Sequence, residues 1–318
     1  MQTHRFPYEK VKAGDTQLGK AMTLVKSKQQ RDKKGKVLLE GKRLITDAIL
    51  AGAVIETIYF CRHEALEDVP VDSLDAKFVK VPQKDVSMWS DVASPQGILA
   101  VCKKPDTEKL CLLQDEMHLP VTLICDNIRE PGNLGALLRS AAAVNCRNVL
   151  VTKGCVDTWE PKVLRAGCGA HFRISIQSNI SWKEMHLYLD SYKIAQVHVA
   201  DGNFTEREQR DYESYIQRKG PVVLEKKSDK ILMQNLAAVL PIIAVEAYFQ
   251  LDWTNPCALV IGGESHGLSL EAVELCEKSD GSKVFIPMSN GMNSLNSAHA
   301  ASIILYEARR QLIEKSPR

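Results

Sequence analysis

The stretch VTLICDNIREPGNLGALLRSAAAVNCRNVLVT (Val121–Thr152) has the pattern of a strand, a loop, a helix and a second strand. Its first part, VTLICD, is a short apolar run that ends at polar residues, as expected of a strand buried on both faces of a sheet. The helix NLGALLRSAAAV and the β-branched, apolar run NVLVT follow it. Elements in this order predict a parallel sheet that is covered by helices.

The same alternation continues to the end of the chain. Helices are predicted at EPKVLRAG, SWKEMHLYLDSY, SLEAVELCEK and from about Ser297 to Gln311, and strands at FRISI, IAQVHVA, ALVIGGE and KVFIPM. The segment 201–241 interrupts the alternation with a high density of charge, so we expect a mobile, partly helical surface insertion there. Residues 121–318 are therefore predicted to form one α/β domain.

A smaller α+β domain is predicted for residues 36–106, and residues 107–120 are expected to link it to the larger domain. Its predicted elements are a helix from about Lys42, strands at IETIYFC and KFVKV, a short helix at VSMWSDV, and a strand after the turn SPQG. The β-branched and aromatic content of the strands and the turn residues between elements support this division.

The N-terminal arm (residues 1–35) carries much of the positive charge. Residues 1–43 contain twelve Lys or Arg and four acidic residues, a balance of +8, whereas the whole chain has a formal net charge of +2. Two interpretations remain open. The arm is either solvated and disordered, or it neutralises the phosphates of a nucleic acid without reading a sequence.

Composition argues against several classes of protein. The longest apolar run is far shorter than the ~20 residues of a membrane span, and neither a secretory signal nor a transit peptide is evident after Met1. The nine cysteines are spread singly, without a C-x-x-C pair or a His cluster that would complete a zinc site. We therefore expect reduced, buried thiols, no metal, no membrane partner and an intracellular or organelle-matrix compartment.

Three loops that follow predicted strands carry unusual residues, and ligands of open parallel sheets bind beyond the carboxyl ends of the strands. In the first loop, DNIREPGNLGALLRS, Gly132 and Gly135 permit close backbone approach. Asn133 can cap the helix and also direct a polar group into the crevice. Arg139, one helical turn after Gly135, is either a solvated charge or a ligand of a phosphate or ribose oxygen.

The second loop, VIGGESHG (Val260–Gly267), places two glycines after a strand, where a ligand can lie against the main chain. Glu264 follows them and is either a favourable charge at a helix N-terminus or a site residue. The third loop, SNGMNSLN, precedes the last helix, and its Ser294 and Asn296 either cap that helix or face a ligand. A G-x-G-x-x-G pattern is absent, which disfavours dinucleotide binding.

Taken together and in order, the three loops resemble the three motifs of the SpoU (TrmH-like) RNA 2′-O-ribose methyltransferases, which belong to the SPOUT superfamily. LLEGKRLITDAI and SPQGILAVCKK are similar to the L30e-like RNA-binding domain that often precedes this catalytic domain. The matching motif residues are Asn127, Gly132, Asn133, Gly135 and Arg139; Gly262, Glu264 and Gly267; and Ile286, Pro287, Met288, Ser294, Leu295, Asn296, Tyr306, Glu307 and Arg310.

The resemblance implies a trefoil-knotted SPOUT methyltransferase domain of α/β class with a parallel sheet, preceded by the small α+β L30e-like domain. It implies that S-adenosyl-L-methionine binds in the knot. The implied cofactor-binding residues are Gly262, Gly263, Gly267, Ile286, Met288 and Leu295. The implied catalytic residues are Arg139, which orients the substrate, Asn133 and Glu264, which hold Arg139, and Ser294 and Asn296, which face the transferred group.

The implied activity is methylation of a ribose 2′-hydroxyl, on a guanosine, in large-subunit ribosomal RNA. The chain is most similar to mitochondrial members, which implies the mitochondrial matrix, and family domains dimerise through their first and last helices, which implies a homodimer. The alternative is a non-catalytic RNA-binding ribosome assembly factor on the same fold. The chain departs from the common pattern at Ser297-Ala298, where many relatives have Val-Ser, and at Gly167, where they usually have Ser.

Overall fold

The computed structural model describes residues 7–12, 19–23, 27–90, 92, 94–107, 110, 118–201, 243–264, 267–292 and 294–315. Apart from Asp201, the predicted insertion at 201–241 lies outside these residues, as does most of the predicted linker. The described chain forms two sheets, one in each half. No helix in these ranges is both long and apolar enough to cross a membrane.

The N-terminal domain contains a five-stranded sheet of order β1-β4-β3-β5-β2. In it β5 runs antiparallel to β2 and β3, while β3 and β4 are parallel. This mixed sheet with helices is the small α+β unit expected from the sequence. Its elements are β1 (Glu9–Lys10), α1 (Lys28–Lys34), β2 (Lys36–Glu40), α2 (Lys42–Leu50), β3 (Ile55–Phe60), β4 (Lys77–Lys80), α3 (Gln83–Trp89) and β5 (Ile98–Lys103).

The C-terminal domain contains a seven-stranded parallel sheet of order β10-β12-β9-β11-β6-β7-β8. Its strands are β6 (Leu119–Asp126), β7 (Cys146–Thr152), β8 (Ile176–Ile180), β9 (Gln196–Ala200), β10 (Ala244–Ala247), β11 (Cys257–Gly262) and β12 (Ser282–Phe285). Its helices are α4 (Pro131–Ala143), α5 (Pro161–Gly167), α6 (Trp182–Ser191), α7 (Leu270–Lys278) and α8 (Ser297–Lys315).

Helices cover both faces of this sheet because its central strands are apolar on both sides. Leu123 and Leu259 belong to the core that includes residues of α4 and α8. Their neighbours Ile124 and Val260 point to the other face and pack with α6 and α7. The predicted parallel α/β sheet is confirmed, whereas the trefoil knot stays a prediction.

The two domains share a core at their seam. Trp159, Leu164 and Phe172 belong to the C-terminal domain, yet they pack with apolar residues of the N-terminal sheet and α2. Arg31 of α1, whose side chain is only 5% exposed, forms an ion pair with Asp157. The interpretation of the basic arm as disordered is therefore wrong for residues 28–34, which form a helix that holds the domains together.

Several strand predictions differ from the structure. The predicted strand FRISI is wrong: Gly169, with φ of 80°, starts a 3₁₀ turn over Ala170–Phe172, and the strand begins only at Ile176. The last strand ends at Phe285 instead of Met288, and the last helix continues to Lys315. β2 and β10 had no predicted counterpart, since β2 merges in sequence with the apolar pattern of α2 and β10 has only four residues.

Candidate active site

The three motif loops meet at one edge of the parallel sheet. β6 and β11 are neighbours that pair in register, so that Gly262 lies opposite Asp126. β12 lies beyond β9, which is the other neighbour of β11. Because parallel strands present their carboxyl ends at the same edge, the loops that follow β6, β11 and β12 converge there.

A hydrogen-bonded network connects one residue from each loop. The Asn133 amide nitrogen donates to Glu264 Oε1 at 3.0 Å, and the Asn296 amide nitrogen donates to Asn133 Oδ1 at 2.9 Å. Asn296 also donates to Glu264 Oε1. The carboxylate therefore accepts two amide donors, and hydrogen bonds to a charged acceptor are the stronger kind. Three of the predicted catalytic residues lie together in this network.

Asn296 caps the last helix as the sequence allows, while its contact with a ligand stays a prediction. Its Oδ1 accepts hydrogen bonds from the backbone N–H groups of Ala298 and His299, at 3.0 and 3.4 Å. These bonds cap α8 in the manner expected of an Asn before a helix. The amide nitrogen of the same side chain serves the network, so one residue both starts the helix and joins the three loops.

The first loop differs from its prediction at several positions. The N-cap of α4 is Glu130, so Asn133 lies inside the first turn and its predicted capping role is wrong. A Cβ on Gly132 would meet open space. Gly135 does permit close approach, but of helix to helix, since a Cβ there would lie 2.4 Å from the Ala166 Cβ on α5. The side of α4 that carries Gly135 therefore packs on α5.

The glycines of the second loop hold its backbone against neighbouring chain segments. A Cβ on Gly262 would lie 2.6 Å from the carbonyl carbon and oxygen of Gly267, and a Cβ on Gly263 would lie 2.4 Å from the carbonyl oxygen of Asn127. Gly267 has φ of 62° and donates its N–H to the Gly263 carbonyl at 2.8 Å. Side chains at positions 262 and 263 would displace this backbone.

A cavity of about 190 Å³ opens beside these loops. Its lining combines exposed main chain with apolar side chains, which suits a ligand with a flat apolar face and polar edges. The hydroxyl of Ser297, which also lines the cavity, is buried without a hydrogen-bond partner in the described structure, so a ligand with polar groups fits. The lining includes all six predicted cofactor residues, Gly262, Gly263, Gly267, Ile286, Met288 and Leu295, together with Glu264 and Ser294.

Arg139 lies apart from the network. Its side chain is exposed, and the hydrogen bond that it makes to another described residue goes to Cys168 Sγ at 3.6 Å. The predicted contact of Arg139 with Glu264 and Asn133 is not formed within the described chain. The helix explains why, because six residues from Asn133 to Arg139 correspond to about 9 Å along the axis and to a different face.

Asp126 is a site residue that the sequence patterns did not single out. It is completely buried at the end of β6. Its Oδ2 accepts the backbone N–H of Ser269 at 2.7 Å, and its Oδ1 accepts the hydroxyl of Thr152 at 3.3 Å. The carboxylate thus joins the ends of β6 and β7 to the start of α7. The sequence does offer one signal for Asp126, an acidic residue at the end of an apolar strand. Such a residue is expected to be buried, and a buried carboxylate needs hydrogen-bond donors around it.

A thiol supports the turn after β6. The backbone N–H of Ile128 donates to Cys155 Sγ at 3.2 Å, and Cys155 Sγ donates to the Cys125 carbonyl at 3.3 Å. Burial raises the pKa of the Cys155 thiol, so it is protonated and able to donate at neutral pH.

The eight cysteines in the described ranges are free thiols, and no group of three or more His, Cys, Asp or Glu there could hold a metal ion.

Residues 120–224 and 224–306 match the SpoU rRNA Methylase family, and residues 20–100 match the MRM3-like substrate binding domain. The Mus musculus protein "rRNA methyltransferase 3, mitochondrial" is 45% identical over 316 residues, which cover 96% of this chain and 74% of that protein. The Bacillus subtilis (strain 168) 23S rRNA (guanosine(2553)-2′-O)-methyltransferase RlmP is 25% identical over 284 residues, which cover 89% of this chain and 92% of that protein.

A solved structure shares the fold. The crystal structure of the SpoU methyltransferase AviRb from Streptomyces viridochromogenes, in complex with the cofactor AdoMet, aligns with a TM-score of 0.69 at 22% identity, over 95% of this chain and 100% of that one. The matches to the two family models confirm the resemblance that the motifs indicate. Because the family model matches residues 120–224 and 224–306, more than half of the chain, the chain belongs to the SpoU rRNA methylase family.

Proposed function

We propose that the protein transfers a methyl group from S-adenosylmethionine to a ribose 2′-hydroxyl of large-subunit ribosomal RNA in mitochondria. The observation that carries the proposal is the network of Asn133, Glu264 and Asn296 beside the glycine-lined cavity. The relatives support the substrate and compartment, since one is named a mitochondrial rRNA methyltransferase and another a guanosine 2′-O-methyltransferase of 23S rRNA. Guanosine is accordingly the proposed nucleoside.

The cavity would hold S-adenosylmethionine through main chain and apolar side chains. Ile286 and Leu295 offer apolar contact to the adenosine, and the backbone at 262–263 and 267 offers N–H and C=O groups to its polar edges. The unpartnered hydroxyl of Ser297 would gain a partner there. When bound, the cofactor supplies a methyl group on a positively charged sulfur, so the protein's main task is to align the two reactants.

The network would keep the rim of the cavity in one conformation. Glu264 draws the second loop toward α4 and toward the start of α8, because its carboxylate accepts donors from both. Ser294 lies exposed on the cavity lining, where its hydroxyl can form a hydrogen bond with a ribose. Preorganised polar groups of this kind cost no reorganisation when the reaction occurs.

Arg139 is the proposed orienter of the ribose. A guanidinium keeps its positive charge in proteins and does not serve as a free base. Its donors can instead hold a ribose or phosphate oxygen and stabilise the negative charge that develops on the 2′-oxygen as the proton leaves. The thiol of Cys168 is a weak acceptor, so little holds Arg139 away from an RNA oxygen.

We also propose a homodimer through α4 and α8, which would place RNA across two protomers. The two helices pack together within one chain, with the hydroxyl oxygens of Ser140 and Ser302 2.7 Å apart. Ile303 and Tyr306 remain 37% and 56% exposed on α8. Exposed apolar side chains on one helix are typical of a surface that a partner covers.

The test uses the purified full chain, S-adenosylmethionine with a labelled methyl group, and transcribed fragments of large-subunit ribosomal RNA. We expect cofactor binding in a calorimetric titration and a labelled 2′-O-methyl nucleotide after digestion of one fragment. The alternative, a non-catalytic assembly factor, requires RNA binding without cofactor binding. No transfer to any fragment covering the large-subunit RNA would overturn the proposed function.

A further inference from the structure

A second cavity lies at the seam of the two domains, separate from the cofactor cavity. It has a volume of about 240 Å³. The N-terminal domain contributes the turn from β2 into α2 together with Val92 and residues 94–96, and the C-terminal domain contributes Arg165 and Cys168. Neither the three motif loops nor the cofactor cavity includes these residues.

We propose that this seam cavity binds one unstacked base of the RNA substrate, beside the nucleotide that is methylated. The proposal rests on the proposed function, because it concerns how the same RNA is held. Proteins that read single-stranded RNA bind splayed bases between apolar or aromatic surfaces and form hydrogen bonds with their edges.

The walls of the seam cavity are held in place by contacts between the domains. Arg165 Nη1 of one domain lies 3.5 Å from Glu40 Oε2 of the other, on the lining itself. Nearby, the Lys104 ammonium lies 5.4 Å from the centre of the Trp159 ring, and Arg31 is paired with Asp157. A preformed site binds its ligand without the entropic cost of ordering its own side chains.

The lining has the composition of a slot for a heterocyclic base. Leu44, Val92 and Pro95 are apolar and can contact the faces of a ring. Gln96 accepts the backbone N–H of Lys42 through its Oε1 at 2.7 Å, which fixes the side chain and leaves its amide donors for a base edge. Glu40, Asp47 and Arg165 also line the cavity, and their charged groups add acceptors and donors of the kind that distinguish bases.

Positive charge at the mouth suits the phosphate that accompanies a base. Arg43 lines the cavity with a side chain that is 75% exposed, and its Nε lies 3.9 Å from a carboxylate oxygen of Asp47, which also lines the cavity. Because an exposed ion pair of this length contributes little, Arg43 can exchange it for a phosphate. It lies in the first turn of α2, which has no acidic residue there and no side-chain cap at Gly41. Arg43 and the helix N-terminus would therefore attract the same anion.

The seam cavity is also next to the arginine assigned to the ribose. Cys168 lines the cavity, and its Sγ accepts the hydrogen bond from Arg139 Nη1 at 3.6 Å. One side chain thus separates the cavity from Arg139. A base in the cavity and a ribose at Arg139 would belong to nucleotides close together in one RNA strand.

The test fills the cavity. Ser94→Trp introduces a large ring from an exposed loop position on the lining. It should raise the KM for RNA about tenfold or more, the size of one lost base contact, and leave cofactor affinity and Tm unchanged. Met88→Trp adds the same ring at an exposed position of α3 in the same domain and should leave the KM for RNA unchanged.

A second variant tests the charge. Arg43→Ala should weaken RNA binding. The slope of the logarithm of RNA affinity against the logarithm of salt concentration should become shallower by about the contribution of one phosphate contact. Its matched control is Lys278→Ala, because both residues form an exposed ion pair with a carboxylate four residues away on a helix. Lys278→Ala should leave the salt dependence as in the wild type.

The two proposals fail in different ways. Fluorescence anisotropy measures the affinity for RNA fragments that each lack one base near the methylated position. For the wild type, one of these fragments should bind more weakly than the intact RNA. For Ser94→Trp, the same fragment should bind as well as the intact RNA. Equal RNA affinity and KM in Ser94→Trp and the wild type would overturn the seam cavity alone. A wild type without methyl transfer overturns the proposed function, whatever the RNA affinities show.

Discussion

Asn296 and Asn133 are 163 positions apart, yet the amide nitrogen of Asn296 lies 2.9 Å from Asn133 Oδ1. Glu264 accepts a hydrogen bond from each of them. Each side chain therefore helps to position the other two. Substitutions within such a network are expected to have non-additive effects.

Glu264→Gln should weaken S-adenosylmethionine binding roughly tenfold or more, since a hydrogen bond to a charged acceptor contributes about 1.5–3 kcal/mol. The substitution replaces a carboxylate that accepts two amides with a neutral group of the same shape. Calorimetric titration measures the affinity, and thermal denaturation should show a lower Tm. Glu271→Gln, at an exposed position in the first turn of α7, is the control and should bind as the wild type does.

Arg139→Ala should lose methyl transfer about a hundred- to a thousand-fold, which is typical of removing one donor aimed at a developing oxyanion. Fold and cofactor affinity should persist, because the side chain is exposed and lies outside the cofactor cavity. Arg139→Lys should also be poor, since an ammonium lacks the planar fork of donors. Arg173→Ala removes another exposed arginine and should transfer normally; a normal rate in Arg139→Ala would show that Arg139 is only a surface charge.

Gly262→Ala should abolish cofactor binding or reduce it below detection. The added methyl group would lie 2.6 Å from the Gly267 backbone, so the second loop must move and the rim of the cavity with it. Gly262→Arg should do the same by filling the crevice. Gly19→Ala is the control, because a Cβ there meets nothing within 4 Å. Cofactor affinity of Gly262→Ala equal to that of the wild type would contradict the assigned cavity.

The free energy of unfolding should fall as the pH drops from about 6.5 to about 4. Burial lowers the pKa of His171 and of His198 to about 4, from an ordinary value of 6.5. Between these values the unfolded chain binds protons that the folded chain does not, so acid favours unfolding. Urea denaturation across this range measures the slope, and proton NMR should show two ring signals that stay neutral near pH 6. Titration of all histidines near 6.5 would refute the assignment.

Tyr306→Asp should convert the proposed dimer into a monomer. A charge in the centre of an apolar contact loses its hydration without gaining a partner, which is costly. Light scattering across a dilution series would report the mass. Leu187→Asp, which places the same charge on the exposed side of α6, should leave the mass unchanged. A wild type that is monomeric at working concentration would refute the dimer itself.

Local patterns predicted the kinds of element well and their contacts poorly. VTLICD and NLGALLRSAAAV were recognisable because a buried strand and an amphipathic helix each have their own period. FRISI failed because Phe172 is apolar for another reason, its burial at the seam between the domains. An apolar run shows that residues are buried but not what buries them.

The candidate site followed from the motifs only in part. The six cofactor residues were predicted as a set and line one cavity. The partnership of Asn133 with Glu264 depends on the adjacency of β6 and β11, which no local signal reveals. Asp126 and Arg31 show the same limit, since the sequence reveals their charges but not their partners. Asp126 supports the site because it accepts a hydrogen bond from the Ser269 backbone. Arg31 supports the seam because it pairs with Asp157.

The shared core at the seam has a consequence for protein engineering. Trp159, Leu164 and Phe172 complete the core of the N-terminal domain from outside it, so that domain cut out alone would expose an apolar surface. A chimaera that takes its N-terminal domain from a relative should fold only when the segment 157–172 is exchanged along with it. The segment that must be exchanged as one piece is thus larger than the first hundred residues, and it extends into the C-terminal domain.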